Sequence, residues 1–324
     1  MSLHFGYTPN PIAAETFAAQ ESVGQLAIKH PALMLTERRD VELWHPLLKC
    51  KPSWKRGSQG LGSCVAWGAE LAATMLLGIQ HAKGVSQWIE EASTEAIYGG
   101  CRVEAQGGKL GGWQDGSWGS AAAEWLRDWG VLIRIDYSKE TGNPEHDLRT
   151  YDAKKEKNWG NFGCGGQRDE RGKGLLDQIA AAHPVQQVTK VSSVEEAAAA
   201  IQNGYPISVA SMVGYGKMDR RIHRGRDGIE VGYCKRSGQW AHQMMVAGVR
   251  WIDSAPWFRQ FQSWGKSCSG PDPGINIQAV SWCSWWTAPD DFAVQLRADD
   301  AWAFSDVQGF PPQKIDWAKA VSTW

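Results

Sequence analysis

Cys64 follows a glycine-rich run, Gln59-Gly-Leu-Gly-Ser-Cys64-Val-Ala-Trp67, and heads the most apolar stretch of the chain. Val65, Ala69, Ala72, Leu76 and Ile79 recur at spacings of three and four, with Ala66, Leu71 and Met75 widening the stripe, which predicts a buried central helix. A cysteine in the first turn of a helix faces unpaired N–H groups and the positive end of the helix dipole, and both favour a nucleophilic thiolate. The glycines leave room for a second backbone to approach. Gln59, five residues before the cysteine, can place its amide where an oxyanion would form. A buried structural cysteine is the equally weighted alternative on spacing alone.

A thiol nucleophile needs a base. His242 stands near the start of the strand-like stretch Trp240-Ala-His-Gln-Met-Met-Val-Ala-Gly248. Phe261-Gln-Ser-Trp-Gly265 follows a hairpin's length later. There the Gln262 amide would fix the ring tautomer, and Trp264 would keep water off that hydrogen bond.

These residues need elements to hold them. Further helices are expected over 86–98 and over 121–129, the latter stopped by Gly130. Ser193-Val-Glu-Glu196 is a capping box that starts an Ala-rich helix ending at Asn203-Gly204. Strands are expected over 206–213, 240–251 and 275–286. Residues 99–120, with eight glycines, and the polar segment 138–173 read as loops. Pro9, Pro11 and Pro31 break up the amino-terminal residues. Helices crowd the first half and strands the second, an α+β pattern of a helical lobe set against a sheet lobe.

Composition excludes several classes. Among 324 residues, 34 basic and 35 acidic side chains leave a net charge of -1, which argues against a nucleic-acid partner held by bulk charge. The short basic runs Lys154-Lys-Glu-Lys157 and Arg220 to Arg226 read as solvated loops. No apolar run is long enough to cross a membrane, and Met1 to Gln20 does not read as a signal peptide. Seven cysteines, an odd number with no CxxC, point to reduced thiols and away from structural zinc. The 19 tryptophans outnumber Tyr and Phe together and read as core and cleft wall. No phosphate-binding glycine loop follows a strand, so no cofactor and no metal are expected.

The order of Gln, Gly-Ser-Cys-x-Ala, a distant His leading a strand, and amide-Ser-Trp-Gly resembles the papain-like cysteine peptidases. Asp115-Gly-Ser117, the helix ending at Trp129-Gly-Val131, and Val194 to Val213 are similar to further family segments. The resemblance spans residues 50–290 and implies a papain-like two-lobe α+β fold with a cleft between the lobes. It leaves 1–49 as an amino-terminal extension and 291–324 as a tail. It implies Cys64 as nucleophile, His242 as general base and acid, and Gln59 with the Cys64 N–H as oxyanion hole. Gln262 takes the place of the family's Asn. Asp115, Gly116 and Trp264 would line a peptide or protein substrate. The turn from Gln59 to Cys64 is one residue shorter than the family's, and Leu61 stands about where secreted members carry a disulfide cysteine. Two alternatives remain open: an inactive papain-like fold serving assembly, as in a phage particle, through the terminal segments; and a related Cys-His amidase. The expected setting is the cytoplasm or a virion.

Overall fold

The stretch after the glycine run folds into a helix of 19 residues, Cys64–Ala82, with Cys64 in its first turn and its side chains buried on nearly every face. A helix apolar all round must lie between other layers. The computed structural model describes residues 3–4, 6–34, 37–85, 90–107, 110, 114–164, 174–183, 185–224, 230–264 and 284–305, without the side chains of 3–4 and 217–232. In chain order the helices are α1 (Pro11–Ala18), α2 (Leu26–Lys29), α3 (Trp44–Cys50), α4 (Cys64–Ala82), α5 (Thr94–Gly99), α6 (Gly119–Asp128), α7 (Ser138–Thr141), α8 (Ala153–Phe162), α9 (Leu175–Ala180), α10 (Val194–Gln202) and α11 (Pro289–Leu296). The strands are β1 (Leu3–His4), β2 (Val41–Glu42), β3 (Val188–Lys190), β4 (Ile207–Arg224), β5 (Glu230–Ile252), β6 (Ala255–Phe261), β7 (Ser284–Thr287) and β8 (Asp300–Phe304).

The sheet runs β3-β8-β4-β5-β6-β7. The long β4–β5 pair is antiparallel and sets Ser211 opposite His242, with register shifts beyond that point that bend the ribbon. The β5 strand also takes β2 at Val249 and Gly248 and, in parallel, β1 at Trp240 and Ala241. The α4 helix packs on β5 on one side and α3 on another. A Cβ on Gly78 would stand 2.8 Å from the Leu47 Cα, so only glycine permits that helix crossing. Trp44, Trp125, Trp286 and Trp302 are fully buried in the main core. Trp285 joins Tyr215, Cys234 and Met244 in a smaller cluster on the far face of the sheet. No helix of the described residues is long and apolar enough to cross a membrane.

Several expectations change. The segment read as an extended loop contains α8, capped by Asp152 accepting from the N–H groups of Lys154 and Lys155. Its only buried residues are Glu156, Trp159 and Gly160, too few to print a helical stripe on the sequence. The glycine-rich loop includes a π-helical turn, Gly100–Glu104. The helix expected over 86–98 begins at Thr94 with a Ser93 cap, residues 86–89 lying outside the described residues. The division at residue 290 falls inside α11, and the segment read as a tail supplies β8, an interior strand between β3 and β4. Residues 306–324, Gly265 and the cysteines at 268 and 283 lie outside the described residues.

Candidate active site

Helix α4 brings Cys64 to the sheet lobe. Its Sγ accepts the backbone N–H of Gln243, the residue after His242, at 3.4 Å. The Gln243 side chain continues the join, donating to the Val65 carbonyl at 3.1 Å. The His242 ring is fully buried and lies under Trp264, with ring centroids 4.9 Å apart and a tilt of 31°. Trp264 also meets Trp240 edge-on at 5.1 Å. Gln262 is buried, and among the described residues its Oε1 accepts no hydrogen bond. Among the described residues no hydrogen bond joins the imidazole to Cys64 Sγ or to the Gln262 amide.

The turn before Cys64 is laced to the Gln262–Trp264 segment. Gln59 N–H donates to the Ser263 carbonyl at 2.8 Å, and Ser58 pairs with Trp264. The Ser263 hydroxyl donates to Gln59 Oε1, while Gln59 Nε2 donates to the Leu61 carbonyl at 2.9 Å. The amide expected to await an oxyanion thus ties the two lobes together here. Arg56 reinforces the join. It reaches the Gln262 carbonyl at 3.0 Å and the Trp67 carbonyl at 2.9 Å, and pairs with buried Glu70 at 2.5 Å.

Burial governs the electrostatics. It pushes the Cys64 thiol well above its ordinary range, against the N–H of Gln243 that favours thiolate. It also lowers His242 to about 3, helped by the Arg56 charge. A neutral thiol and a neutral imidazole therefore face the cleft. This corrects the expectation of a helix-start thiolate, because desolvation outweighs the dipole at a fully buried sulfur.

The cleft is filled by the chain's own amino terminus. Strand β1 pairs with β5 at Trp240 and Ala241. Gly6 accepts the Ser117 N–H, and the Thr8 N–H donates to the Ser117 carbonyl, both at 2.9 Å. The Tyr7 N–H reaches the Ala241 carbonyl at 3.4 Å. Residues 6–8 thus run between the Asp115–Ser117 loop of the helical lobe and the His242 strand of the sheet lobe, passing Gly62 beside Cys64. The Tyr7 ring is buried and its hydroxyl bonds Asp300.

The helical wall depends on residues that sequence reasoning missed. Arg102, in the π-helical turn, donates to the carbonyls of Gly116 and Gln114, and to that of Gly160 at 2.6 Å. The Tyr98 hydroxyl accepts the Gly116 N–H at 3.0 Å and donates to the Gly62 carbonyl at 3.3 Å. Asp115 faces Gly62 N–H at 3.5 Å. Gly116 has φ +112°, a left-handed conformation that suits glycine. These partners are far apart in sequence and follow no motif spacing, so nothing in the chain's pattern announces them.

One group brings three potential metal ligands together, Glu104, Cys164 and Asp177. The Cys164 thiol donates to the Ala96 carbonyl at 3.0 Å, and burial holds it protonated. That donor role does not suit a metal ligand, which must be a thiolate.

No protein-family model and no curated protein matches this sequence. Solved structures do. Xylellain, a cysteine protease from Xylella fastidiosa, superposes with TM-score 0.53 at 14% identity, covering 94% of this chain and 97% of its own. Digestive procathepsin L2 from Tenebrio molitor larval midgut gives TM-score 0.47 at 14% identity, over 94% of this chain and 78% of that one. Procathepsin B S9 from Trypanosoma congolense gives 0.43 at 12%, over 89% and 92%. The chain has the papain-like α+β fold, in a form far diverged in sequence.

Proposed function

We propose that this chain is a papain-like thiol peptidase held latent by its own amino terminus. The observation that carries the reading is residues 6–8 lying extended beside Cys64, bonded through backbone groups to Ser117 on one wall and Ala241 on the other. A cleft that holds one extended polypeptide by its backbone suits a polypeptide substrate. Likeness to xylellain, described as a cysteine protease, supports the same chemistry.

In the open cleft, water and substrate replace Tyr7 and its neighbours. The thiol proton passes to the His242 imidazole as sulfur attacks the scissile carbonyl carbon. The Cys64 N–H, with the Gln59 amide if it leaves Leu61, donates to the oxyanion. His242 then protonates the leaving amine, and water hydrolyses the thioester by the reverse path. Gln262 Oε1, buried and accepting nothing in the closed form, is the acceptor for the other ring N–H. Asp115 and Gly116 line the substrate backbone, and Trp264 shields the ring.

The test is hydrolysis of unstructured peptides by the chain lacking residues 1–8, compared with the full chain, Cys64→Ala and His242→Ala. Activity that appears on truncation and vanishes in both variants is expected. The neutral, covered Cys64 and the substituted amide at 262 favour one second reading, a non-catalytic fold retained for assembly. A truncated chain that folds and cleaves nothing supports it.

A further inference from the structure

The turn from Gly60 to Ser63 must hold two things still: the N–H groups at the start of α4 and the sulfur that follows them. Glycines at 60 and 62 give it little stiffness of its own. One internal bond, the Ser63 N–H to the Leu61 carbonyl at 2.8 Å, is joined by holds from outside. The Gly60 N–H donates to the Tyr151 hydroxyl at 3.0 Å, and that hydroxyl donates to Glu156 Oε2 at 2.6 Å. The Tyr151 ring meets the Trp67 ring edge-on at 5.1 Å, one turn along α4 from Cys64. A Cβ on Gly60 would lie 2.9 Å from the Ala153 Cβ, so the turn rests directly on the start of α8. That start is anchored in turn, since the Asp152 N–H donates to Glu95 at 2.9 Å.

Glu156 is fully buried, and it touches the turn a second time. The Ser63 hydroxyl favours the ionised form of its carboxyl, and that hydroxyl and Glu156 Oε1 are both buried. Ser63 is the residue immediately before Cys64. The phenol thus holds the Gly60 end of the four-residue turn directly, and the carboxyl holds the phenol.

We propose that Tyr151 and Glu156 are positioning residues of the thiol site, bracing the shortened Gly60–Ser63 turn so that the N–H groups at the head of α4 face a substrate carbonyl. The assignment rests on the reading of Cys64 as nucleophile. It answers the departure in the turn itself: with one residue fewer than the family pattern, this chain fixes the turn through α8.

The carboxyl's surroundings add a signature. Burial and the Glu95 charge raise Glu156 to about 8, while Tyr151, Ser63 and Arg134 favour its ionised form. Cys101 also feels the Glu156 charge and is itself held protonated by burial. Glu156 is therefore mostly protonated at neutral pH, and raising the pH places a charge against the turn.

The test uses wild type, Tyr151→Phe and Glu156→Gln, with two readouts, exchange in the full chain and hydrolysis in the chain lacking residues 1–8. The first is amide hydrogen exchange over residues 58–66. Tyr151→Phe should speed it about tenfold, while exchange in β6 stays at the wild-type rate. The second is peptide hydrolysis against pH. Tyr151→Phe should lower kcat about tenfold with little change in KM, and Glu156→Gln, which keeps an acceptor for the Tyr151 hydroxyl but loses the ionisable group, should lose the fall near pH 8. Wild-type exchange in Tyr151→Phe overturns the brace, whether or not the protein is active. Faster exchange with unchanged kcat and an unchanged pH profile overturns the positioning role. A wild type that hydrolyses nothing, even without residues 1–8, instead defeats the peptidase reading and with it this role, while the exchange result still stands for the brace.

Discussion

A methyl group on Gly6 would stand 1.9 Å from the carbonyl oxygen of Gly62, because the two backbones pass in contact beside Cys64. Gly6 also has φ +107°, where side chains are strained. Gly6→Val therefore cannot keep residues 3–8 in place. The variant should lose about 1–3 kcal/mol of stability, and iodoacetamide should label Cys64 faster in it than in the wild type. Peptide mapping by mass spectrometry reads the labelling. A destabilised variant whose Cys64 stays protected would mean that something other than the amino terminus covers the sulfur.

In the intact chain the order of thiol reactivity should run against the expectation from the sequence. Cys64, Cys101, Cys164 and Cys234 are buried, and Cys50 is half-buried. Burial also raises the Cys64 and Cys101 thiols, the latter to about 12. At neutral pH, Cys50 should be alkylated well before Cys64 in the folded full-length chain. First labelling at Cys64 would contradict the closed cleft.

What the sequence shows and what it hides divide along a physical line. Helix α4, the Ser193 cap of α10 and strand β5 each carry a strong local signal: an apolar stripe, a capping box, a β-rich run. The motifs around Cys64, His242 and Gln262 are weak one by one and carry a signal only through their order along the chain. The occupied cleft has no such signal. It depends on Gly6 meeting Gly62 and Tyr7 meeting Asp300, and no periodicity links residues that far apart. Strand β8 was hidden for another reason: Asp300-Ala-Trp-Ala-Phe304 is short and lies between polar segments, so its burial comes from β3 and β4 on either side. The neutral state of the thiol was hidden too. Sequence places Cys64 at a helix dipole but not beneath another strand, and the second effect wins.

Asp300 gives the amino-terminal anchor a pH dependence. It accepts from Gly119 N–H at 3.0 Å, Trp302 Nε1 at 2.6 Å and the Tyr7 hydroxyl, yet burial outweighs these donors and raises it from 3.8 to about 6. A carboxyl whose folded value is raised binds more protons in the native state. Its contribution is full below the unfolded value and is lost as pH climbs to the folded one. Between about pH 4 and 6 the wild type should thus lose up to about 3 kcal/mol of stability through this group. His242, lowered to about 3, acts oppositely, its contribution fading as pH falls below 6.5. Comparison with Asp300→Asn isolates the first effect. The stability gap between wild type and variant should narrow as pH rises across that window, measured by urea unfolding at each pH. A gap of constant size would show that Asp300 titrates normally.

Gln262 offers the sharpest test of the site. Its backbone carbonyl is fixed by Arg56 at 3.0 Å, and its neighbour Trp264 lies over the His242 ring. Its side chain has one more methylene than Asn and so one more rotatable bond, with Oε1 buried and accepting nothing in the closed form. An unpaired buried acceptor is costly, so on opening it should take the His242 ring N–H and fix the tautomer that leaves the other nitrogen for Cys64. Gln262→Ala should then lower kcat/KM about tenfold to a hundredfold, on the order of 1.4–2.8 kcal/mol, with thermal stability nearly unchanged. Gln262→Asn places the carbonyl one bond shorter on the same fixed backbone. It should retain less activity than the wild type and more than Gln262→Ala, because it keeps the acceptor but not the reach. The measurements are steady-state hydrolysis of one peptide by the chain lacking residues 1–8, with Cys64→Ala as the inactive reference. Equal activity in Gln262→Ala and the wild type would remove the amide from the mechanism and leave Trp264 alone to orient the ring.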